Sequence, residues 1–599
     1  MSDMRFMLLS AVRDLDEFKE FAEQAARLKP FGTVLMNVGT LAAKARHEMP
    51  EVWSAWHEYA ISNPSLHKVF PHPKIAPHVP ADYVKKNREL LLAKAAVVRE
   101  LGLGAWVLSQ EPYFMPESFF REHPHLRGPR IDHPRRSRGE EFAMCTDLAE
   151  VREMYEWMMA EYKRNVPELG FFMFNTNDAG SGFCWAEWLY SGPNGPKACR
   201  FTTAGDRIGA FMEALHRGAE AGGGDVTVYI GHVNFRPEER ADVLAKLPPN
   251  SGVRGHDDAT MGVGSHMGAD NPVRGLINPL GILEGMERIV TQNVRNAMIH
   301  LGAIYHRAGE FAGTVERVLD IVIGFLEKPV TGLRARLDRL HELALAWAGE
   351  EKAEEVTEAL YDLDAVLKAK QLLVGRYSLL YCAVSMRFIT RPLLFDPNRI
   401  TPEEEDYFLP HVFNVRESEA RNDYTDLHGG HMQVTPAEAT EVRGFPRLLE
   451  RLRRIAEVLE SATDGPEGEW LFNLATSVRI YASALRSIDN FYFGQLIRNR
   501  SADALAREEP VIPVKAGSWE GEGEILAWNE RMRDEFDNAI ELIALLEERG
   551  TDQLTHAENP EDEDTFLLGP DIIDQLKKKV KIMRDHWLDV ERYLAPPHK

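Results

Sequence analysis

Cysteine and long apolar runs are both scarce in this sequence. Four cysteines occur among 599 residues and none lies in a CxxC motif, so the sequence predicts neither a disulfide framework nor a zinc ribbon. No run reaches the roughly 18–20 apolar residues that span a bilayer. Basic residues number 70 against 93 acidic ones, and the net charge of −23 disfavours nucleic acid and anionic membranes as partners. These features predict a cytoplasmic protein.

Signatures of cofactor and nucleophile chemistry are missing as well. The sequence has no P-loop, no GxGxxG after a predicted strand and no GxSxG elbow, which leaves nucleotide binding and serine-hydrolase chemistry without support. The histidines also lack HExxH spacing. We therefore predict no cofactor and no bound metal.

Over residues 1–282, short apolar runs alternate with amphipathic stretches, and glycine, proline and aromatic residues follow the apolar runs. This rhythm predicts an α/β domain, specifically a (β/α)₈ barrel of the TIM type. The predicted strands are residues 5–12, 32–38, 104–110, 170–175 and 226–230, with a weak sixth at 252–255. The pattern does not fix the seventh and eighth strands, which leaves two alternatives open: they lie within 259–282, or the barrel is incomplete.

Residues 283–599 have a different pattern, with long helical stretches separated by short polar breaks. The predicted helices are residues 283–307, 311–326, 333–347, 353–370, 445–461, 470–499, 522–549 and 572–594. No fixed repeat period occurs, so a packed bundle is favoured over a solenoid. We expect this α-helical domain to close one side of the pocket and to support a homodimer.

The geometry of a parallel barrel selects the candidate site residues. The C-terminal ends of its strands share one face, so polar side chains that follow different strands converge there. The candidates at these positions are Asn37, Glu111, Asn177, Asp178, His232, Asn234, His256, Asp257 and Asp258. Tyr113, Trp185 and Trp188 are near them in sequence and could stack on sugar rings, although packing of a loop is the alternative for these aromatic residues.

Cleavage of an acetal requires one acid and a second carboxylate that acts as nucleophile or activates water. Asp178 and Glu111 are the candidates for the acid, and Asp257 or Asp258 for the second carboxylate. A turn or helix cap is the alternative for Asp178, and an ion pair with a barrel arginine is the alternative for Glu111.

Three segments of the barrel half carry a family resemblance: Ser109-Gln110-Glu111-Pro112, Cys145-Thr146-Asp147 and Phe174-Asn175-Thr176-Asn177-Asp178. They resemble (β/α)₈ glycoside hydrolases of the broad group that contains α-glucuronidases and β-hexosaminidases. The resemblance implies an acid at the end of strand four, which is Asp178 here. β-Hexosaminidases carry an Asp-Glu pair there, and this chain departs from that pattern. α-Glucuronidases similarly join a barrel to a helical domain that supports dimers, and their bases on later strands imply Asp257 or Asp258.

We therefore predict a glycoside hydrolase that acts on a small oligosaccharide or glycoside. The basic loop at residues 127–138 offers arginines that would clamp a sugar carboxylate, which makes uronic acids one option. The first alternative is a metal-dependent barrel lyase or isomerase for a sugar or sugar acid, using His232, His256 and Asp257. The second is a carbohydrate-binding protein without catalytic activity.

Overall fold

The computed structural model describes most of the chain in two compact units. The described residues are 4–48, 61–132, 139–176, 182–186, 195–231, 235–262, 273–300, 312–374, 388–396, 399–404, 445–500, 522–554, 556–557, 559–563 and 568–590. The first unit comprises residues 1–262 and 282–329, and the second comprises residues 263–281 and 330–599. Among the described helices, none combines the length and the apolar character that crossing a membrane requires.

The first unit is built on an eight-stranded parallel sheet. The strands of the chain are β1 (Arg5–Leu9), β2 (Thr33–Asn37), β3 (Gly104–Gln110), β4 (Arg127–Arg130), β5 (Phe142–Met144), β6 (Leu169–Asn175), β7 (Thr227–Ile230), β8 (Ser251–Val253), β9 (Asp258–Gly262) and β10 (Asn296–His300). Their order in the sheet is β8-β7-β6-β3-β2-β1-β10-β9, and β4 and β5 form a separate antiparallel ribbon. Sequential parallel strands joined by helices confirm the predicted TIM-type architecture.

Helices connect most of these strands. Up to residue 329 they are α1 (Leu15–Ala26), α2 (Ala81–Glu100), α3 (Glu117–Glu122), α4 (Ala149–Asn165), α5 (Ala204–Ala221), α6 (Pro237–Lys246), α7 (Pro279–Thr291) and α8 (Ala312–Glu327). Helix α1 shows why they form: the Asp14 carboxylate accepts a hydrogen bond from the Glu17 amide at the N-cap. Phe18, Phe21 and Ala25 then recur at helical spacing on its buried face.

Alternate residues of the strands fill the interior of the barrel. The interior cluster comprises Met7, Leu9, Leu35, Trp106, Phe171, Met173, Tyr229 and Met298, all buried. Register pairs Met7 with Met298 across β1 and β10, as expected for inward positions at one level. The Trp106 indole N–H donates to the Leu8 carbonyl at 3.0 Å, so this large ring is buried with its polar group satisfied.

The end of the barrel differs from the sequence prediction. A single helix was predicted over residues 283–307, but α7 ends at Thr291 and β10 follows it. Asn293 adopts a left-handed φ of 50°, which breaks the helix between the two elements. Strands β9 and β10 complete the set of eight, and only residues 254–257 separate β8 from β9. The first unit therefore continues past the predicted boundary at residue 282 to residue 329.

The second unit is helical, as predicted. Its helices are α9 (Leu333–Ala348), α10 (Ala353–Val374), α11 (Phe445–Glu460), α12 (Gly468–Arg500), α13 (Glu522–Arg549) and α14 (Ile572–Asp585). Consecutive helices in this series pack against each other. Lys579 is fully buried, and its ammonium donates to Glu535 and to the Phe388 and Ile389 carbonyls, so the buried charge is paired and hydrogen-bonded.

Candidate active site

Four polar side chains form the last inward-facing layer of the barrel. Asn37, Gln110, Asn175 and His300 are the final residues of β2, β3, β6 and β10. Each follows interior residues of its strand by two or four positions, so it points toward the same side. We call these four residues the rim. Asn37, Gln110 and His300 are buried and Asn175 is half-buried.

The rim amides also hold the loops that leave the strands. The Asn37 amide donates to the Ser10 carbonyl at 3.2 Å, and its oxygen accepts from the Gly39 amide at 3.1 Å. With its amide oriented to satisfy the network, Gln110 donates to the Thr176 carbonyl at 2.9 Å and the Asn175 carbonyl at 3.2 Å. Gln110 therefore fixes the point at which the chain leaves β6.

A glycine gives the rim its shape beside β7. A Cβ atom placed on Gly231 would lie 1.9 Å from the Oδ1 atom of Asn175. The Asn175 side chain therefore lies across the end of β7, where only glycine leaves room for it. The rim offers amide and imidazole donors and acceptors above an apolar floor, which suits a polar ligand such as a sugar.

His300, Gln110 and Asn175 were not predicted as site residues. His300 was missed because its strand was interpreted as part of a helix over residues 283–307. The signal in the sequence is the short apolar run Asn296–His300 after Asn293, a residue type that tolerates the left-handed backbone found there. Gln110 and Asn175 are the last residues of their predicted strands, and alternation with the apolar residues before them indicates their inward positions.

Charged residues are buried on the other side of β3. Glu111 follows β3 and shares the face of Ser109, opposite to the inward Trp106 and Gln110. Its Oε1 atom accepts hydrogen bonds from the Leu66 amide at 2.6 Å and from the Ser65 and Ser109 hydroxyls at 3.0 Å. Glu111 is completely buried and ties the segment at 64–66 to the end of β3.

Three further ionisable groups lie in the loop between β2 and α2. The carboxylate of Glu48 lies 3.6 Å from the Lys68 ammonium and 3.5 Å from the His67 ring nitrogen, and all three side chains are buried. Lys68 also donates to the Ile61 carbonyl at 3.2 Å. We call Glu48, His67, Lys68 and Glu111 the outer cluster.

Burial controls the ionisation of the outer cluster. It raises the pKa of Glu111 to about 7, against four hydrogen bonds that favour the charged form, from Leu66, Ser109, Ser65 and Tyr155. Burial also lowers the pKa values of Lys68 and His67, although Glu48 opposes both shifts. For Glu48, burial raises the pKa, but Lys68 and His67 outweigh it and the net shift is downward.

Tyr113 belongs with the outer cluster. Its ring is buried, with the Phe114 ring centroid at 4.5 Å and the Lys68 ammonium at 4.9 Å. This ring packs against protein on the faces that a sugar would need. Trp185 is partly buried, and its indole N–H donates to the Pro196 carbonyl at 2.6 Å, so it joins two parts of one loop. Substrate contact by these two aromatic residues remains a prediction.

Asp257 and Asp258 lie at the start of a strand. Asp258 is the first residue of β9 and pairs in register with Asn296, the first residue of β10. The Tyr229 hydroxyl donates to Asp257, 2.7 and 2.8 Å from its two carboxylate oxygens. Burial raises the pKa of Asp258, which accepts a hydrogen bond from the Gly255 amide. The structure thus does not bring these aspartates together with Glu111, which follows the opposite end of β3.

The remaining predicted site residues lie outside the described residues. These are Asn177, Asp178, Trp188, His232 and Asn234. His256 is described and exposed in the connection between β8 and β9. The set predicted for a metal-dependent lyase is therefore described only at His256 and Asp257, and Asp257 is engaged by Tyr229.

Two arginines of the predicted carboxylate clamp already have acidic partners. The Arg127 guanidinium lies 2.5 Å from Glu117, and that of Arg130 contacts Asp132 and also lies 3.2 Å from Glu140. These pairs hold the β4–β5 region together. Recognition of a uronic acid by this loop would therefore depend on the arginines at positions 135, 136 and 138, which lie outside the described residues.

Comparisons with known proteins give a fold likeness at low sequence identity. No family model matches the chain, and no curated protein matches it. Among solved structures, a GH138 enzyme described as targeting pectin rhamnogalacturonan II matches with a TM-score of 0.51 at 9% identity, covering 98% of this chain and 84% of that one. Because identity is so low, this match shows a shared fold and no more.

Two further structures match less well. The GH27 β-L-arabinopyranosidase Abp of Geobacillus stearothermophilus has a TM-score of 0.29 at 10% identity, covering 54% of this chain and 77% of that one. The pneumococcal virulence factor StrH has a TM-score of 0.30 at 9% identity, covering 61% of this chain and 96% of that one. These two matches are too weak to support a conclusion. The fold likeness rests on the GH138 enzyme alone, and the resemblance to α-glucuronidases and β-hexosaminidases remains a prediction.

Proposed function

We propose that this protein is a glycoside hydrolase that binds a small oligosaccharide or glycoside at the C-terminal end of its barrel. The observation that carries the proposal is the rim, a layer of amide and imidazole hydrogen-bonding groups above an apolar interior on a TIM-type barrel. Active sites of TIM-barrel enzymes lie at this end of the strands. The GH138 structural match shares this architecture across nearly the whole chain.

Asp178 is the proposed general acid. The fourth strand of the barrel, β6, ends at Asn175, and Asp178 follows three residues later. The hydrogen bonds from Gln110 to the Asn175 and Thr176 carbonyls support a fixed start for this segment. A general acid must be held within hydrogen-bond reach of the leaving oxygen, which an anchored segment favours.

The second carboxylate is proposed from the segments that follow β9 and β10. Glu111 is anchored to the segment at 64–66 and Asp257 to Tyr229, which supports positioning roles for both. Residues 263–272 and 301–311 each contain one acidic residue, Asp270 and Glu310. Because Asp257 and Asp258 lie at the start of β9, away from the C-terminal ends of the strands, Asp270 and Glu310 are the carboxylates to test by substitution with the corresponding amide.

The absence of lysine and arginine from the four rim residues favours uncharged sugars over uronic acids. None of the rim's four described side chains carries a fixed positive charge, and Arg127 and Arg130 are paired with acidic residues. The same observation supports a second candidate function, a carbohydrate-binding protein without catalysis, because amides and imidazole suffice for binding. The two functions differ in turnover.

The test is a screen of aryl glycosides and aryl uronides against the wild type, Asp178→Asn and Asp16→Asn. Asp16 is exposed on α1 and serves as the matched control. We expect turnover of at least one neutral glycoside by the wild type and the control, and a loss of about 10²–10⁴-fold in Asp178→Asn. Calorimetric titration should give ligand affinity in Asp178→Asn close to that of wild type.

The outcomes separate the candidates. Binding without turnover in all three proteins supports the non-catalytic function. Turnover that survives Asp178→Asn undiminished refutes the acid assignment. Turnover that a chelator abolishes, with the melting temperature unchanged, supports the metal-dependent lyase or isomerase in place of the hydrolase.

A further inference from the structure

Three cysteine sulfurs from separate parts of the chain meet in the first unit. Cys145 follows β5, Cys184 lies in the described segment 182–186, and Cys199 lies in a short 3₁₀ helix, Lys197–Phe201. The Cys145 sulfur is 3.4 Å from that of Cys199 and 3.6 Å from that of Cys184. All three lie within 4.8 Å of one another, and the residues are 2%, 1% and 8% exposed.

The spacing fits shared coordination of a metal ion. A disulfide requires sulfurs about 2.05 Å apart, so none of the described pairs is bonded. Three thiolates bound to zinc at about 2.3 Å in a tetrahedral arrangement lie about 3.8 Å apart, close to the two shorter separations. Cys184 and Cys199 lie 39 and 54 residues after Cys145 in the sequence. Their sulfurs meet only because the tertiary fold positions each of the three segments.

The backbone around Cys184 is shaped to bring its sulfur into the cluster. Gly195 has a φ of 119°, and a Cβ atom at this position would lie 2.8 Å from the Cys184 Cβ and 3.1 Å from its sulfur. Trp185 has a left-handed φ of 54° and donates to the Pro196 carbonyl. Non-glycine residues adopt this conformation only where surrounding structure compensates for its strain.

Arg207 joins the other two ligand-bearing segments. Its buried guanidinium donates to the Cys199 carbonyl, to the Thr202 carbonyl at 2.5 Å and to the Oδ2 atom of Asp147 at 3.0 Å. The other carboxylate oxygen of Asp147 is buried and has no hydrogen-bond partner in the described part of the chain. A buried carboxylate oxygen without a donor is stabilised by a nearby cation.

We propose that Cys145, Cys184 and Cys199 bind a zinc ion, with the fourth position taken by Asp147 or by a water that Asp147 orients. Zinc with three thiolates and one oxygen ligand is within the ordinary coordination range of this metal. The ion links the start of the segment leading to α4 with residues 182–186 and with the 3₁₀ helix Lys197–Phe201 before α5. Its role is structural, and the inference does not rest on the proposed glycosidase function.

The test uses full-length protein purified without chelators, with metal content measured by mass spectrometry. We expect about one zinc per chain in wild type and in the control Cys382→Ser, and below about 0.1 in Cys145→Ser, Cys184→Ser and Cys199→Ser. Asp147→Asn should retain zinc if water is the fourth ligand and bind it more weakly if the carboxylate coordinates it directly.

A second measurement does not depend on the folding of the cysteine variants. Wild type stripped by a chelator should lose thermal stability, regain it with zinc, and with cobalt(II) give a thiolate-to-metal charge-transfer band. Absence of zinc together with no such band overturns the proposal. It is equally refuted by a mass and thiol count showing a disulfide between two of the three cysteines, or by zinc that persists in all three variants.

Discussion

The two sides of β3 carry different polar chemistry at the same end of the barrel. On the inner side, Gln110 belongs to the rim of amides and imidazole. On the outer side, Glu111 belongs to a buried cluster that also contains a lysine and a second carboxylate. The residues are adjacent in sequence, but Gln110 is the last residue of β3 and faces the interior. Glu111 lies beyond the strand, and hydrogen bonds from the segment at 64–66 and from Ser109 hold its carboxylate on the other side. Charge is thus used here to anchor a loop, and neutral groups face the space where a ligand would bind.

This division has an energetic reason. Buried charges are costly unless they are paired and hydrogen-bonded. Neighbouring backbone and hydroxyl groups donate hydrogen bonds to Glu111, and Lys68 supplies a cation to Glu48. Amide side chains lose less free energy on desolvation than charged ones do. They can also give up a hydrogen bond to a loop and form one to a ligand. Substitutions in the outer cluster should therefore change stability, and substitutions in the rim should change turnover.

The largest effect on stability is expected from Lys68→Met. Its removal leaves the fully buried Glu48 carboxylate without its cation and takes one of its donors from the Ile61 carbonyl. Breaking a buried pair in this way costs about 3–5 kcal/mol in free energy of unfolding, measured by denaturant titration. Ligand affinity of the folded fraction should stay at the wild-type value.

Two further variants make this prediction decisive. Lys85→Met is the matched control, because Lys85 and Glu89 are 74% and 63% exposed and 3.7 Å apart, so the loss should be below about 1 kcal/mol. Lys68→Met combined with Glu48→Met removes both charges and should recover most of the stability. A Lys68→Met protein as stable as Lys85→Met would show that the outer cluster does not hold the loop.

Glu111→Gln should change how stability depends on pH. Between its ordinary pKa of 4.5 and its folded pKa of about 7, Glu111 ionises in the unfolded chain but remains protonated in the folded one. Wild-type stability therefore falls as pH rises through this window, by on the order of 3 kcal/mol, and the loss persists above it. Glutamine removes this contribution, so thermal unfolding of the variant at pH 5 and pH 8 should differ less than that of wild type.

The exposed Glu89→Gln variant should keep the wild-type pH profile. Parallel profiles for wild type and Glu111→Gln would contradict the buried, protonated state of Glu111. If folded Glu111→Gln protein instead turns over substrate much more slowly than folded wild type, the predicted catalytic role of Glu111 would be supported.

Gln110→Glu should change stability less than Lys68→Met does, and it should change turnover more. The carboxylate would face the Asn175 and Thr176 carbonyls, replacing a donor with an acceptor. We expect a loss of about 1–3 kcal/mol in unfolding free energy and a marked fall in kcat, because the segment leading to Asp178 loses its anchor. Gln24→Glu, half-buried on α1 beside Arg27, is the control and should change neither quantity. Equal turnover in both variants would contradict the role given to the rim.

The sequence predicted most of the barrel because its apolar runs are short and bounded by glycine and polar residues. The sequence did not predict β10 because the apolar residues before Asn293 form a helix and those after it continue the same helical spacing. The break between the two elements depends on the left-handed backbone of Asn293. The sequence identified Glu111 correctly as following β3 but could not give its side, because the direction of the first residue beyond a strand depends on the loop that covers it.

The cysteine cluster shows a different limit of sequence reasoning. Spacing along the chain indicated no zinc site, because the three residues belong to separate segments rather than to one CxxC-type knuckle. Only tertiary packing, through Arg207 and the left-handed backbone at Gly195 and Trp185, brings their sulfurs together.

The most direct test of the proposed function compares kcat/KM of wild type and Asp178→Asn on aryl glycosides that differ only in the pKa of the leaving phenol. If Asp178 is the general acid, the defect should be small for the most acidic phenol and grow steadily as the leaving group becomes more basic and needs a proton more. A defect of the same size for every phenol, or no defect, would contradict the account.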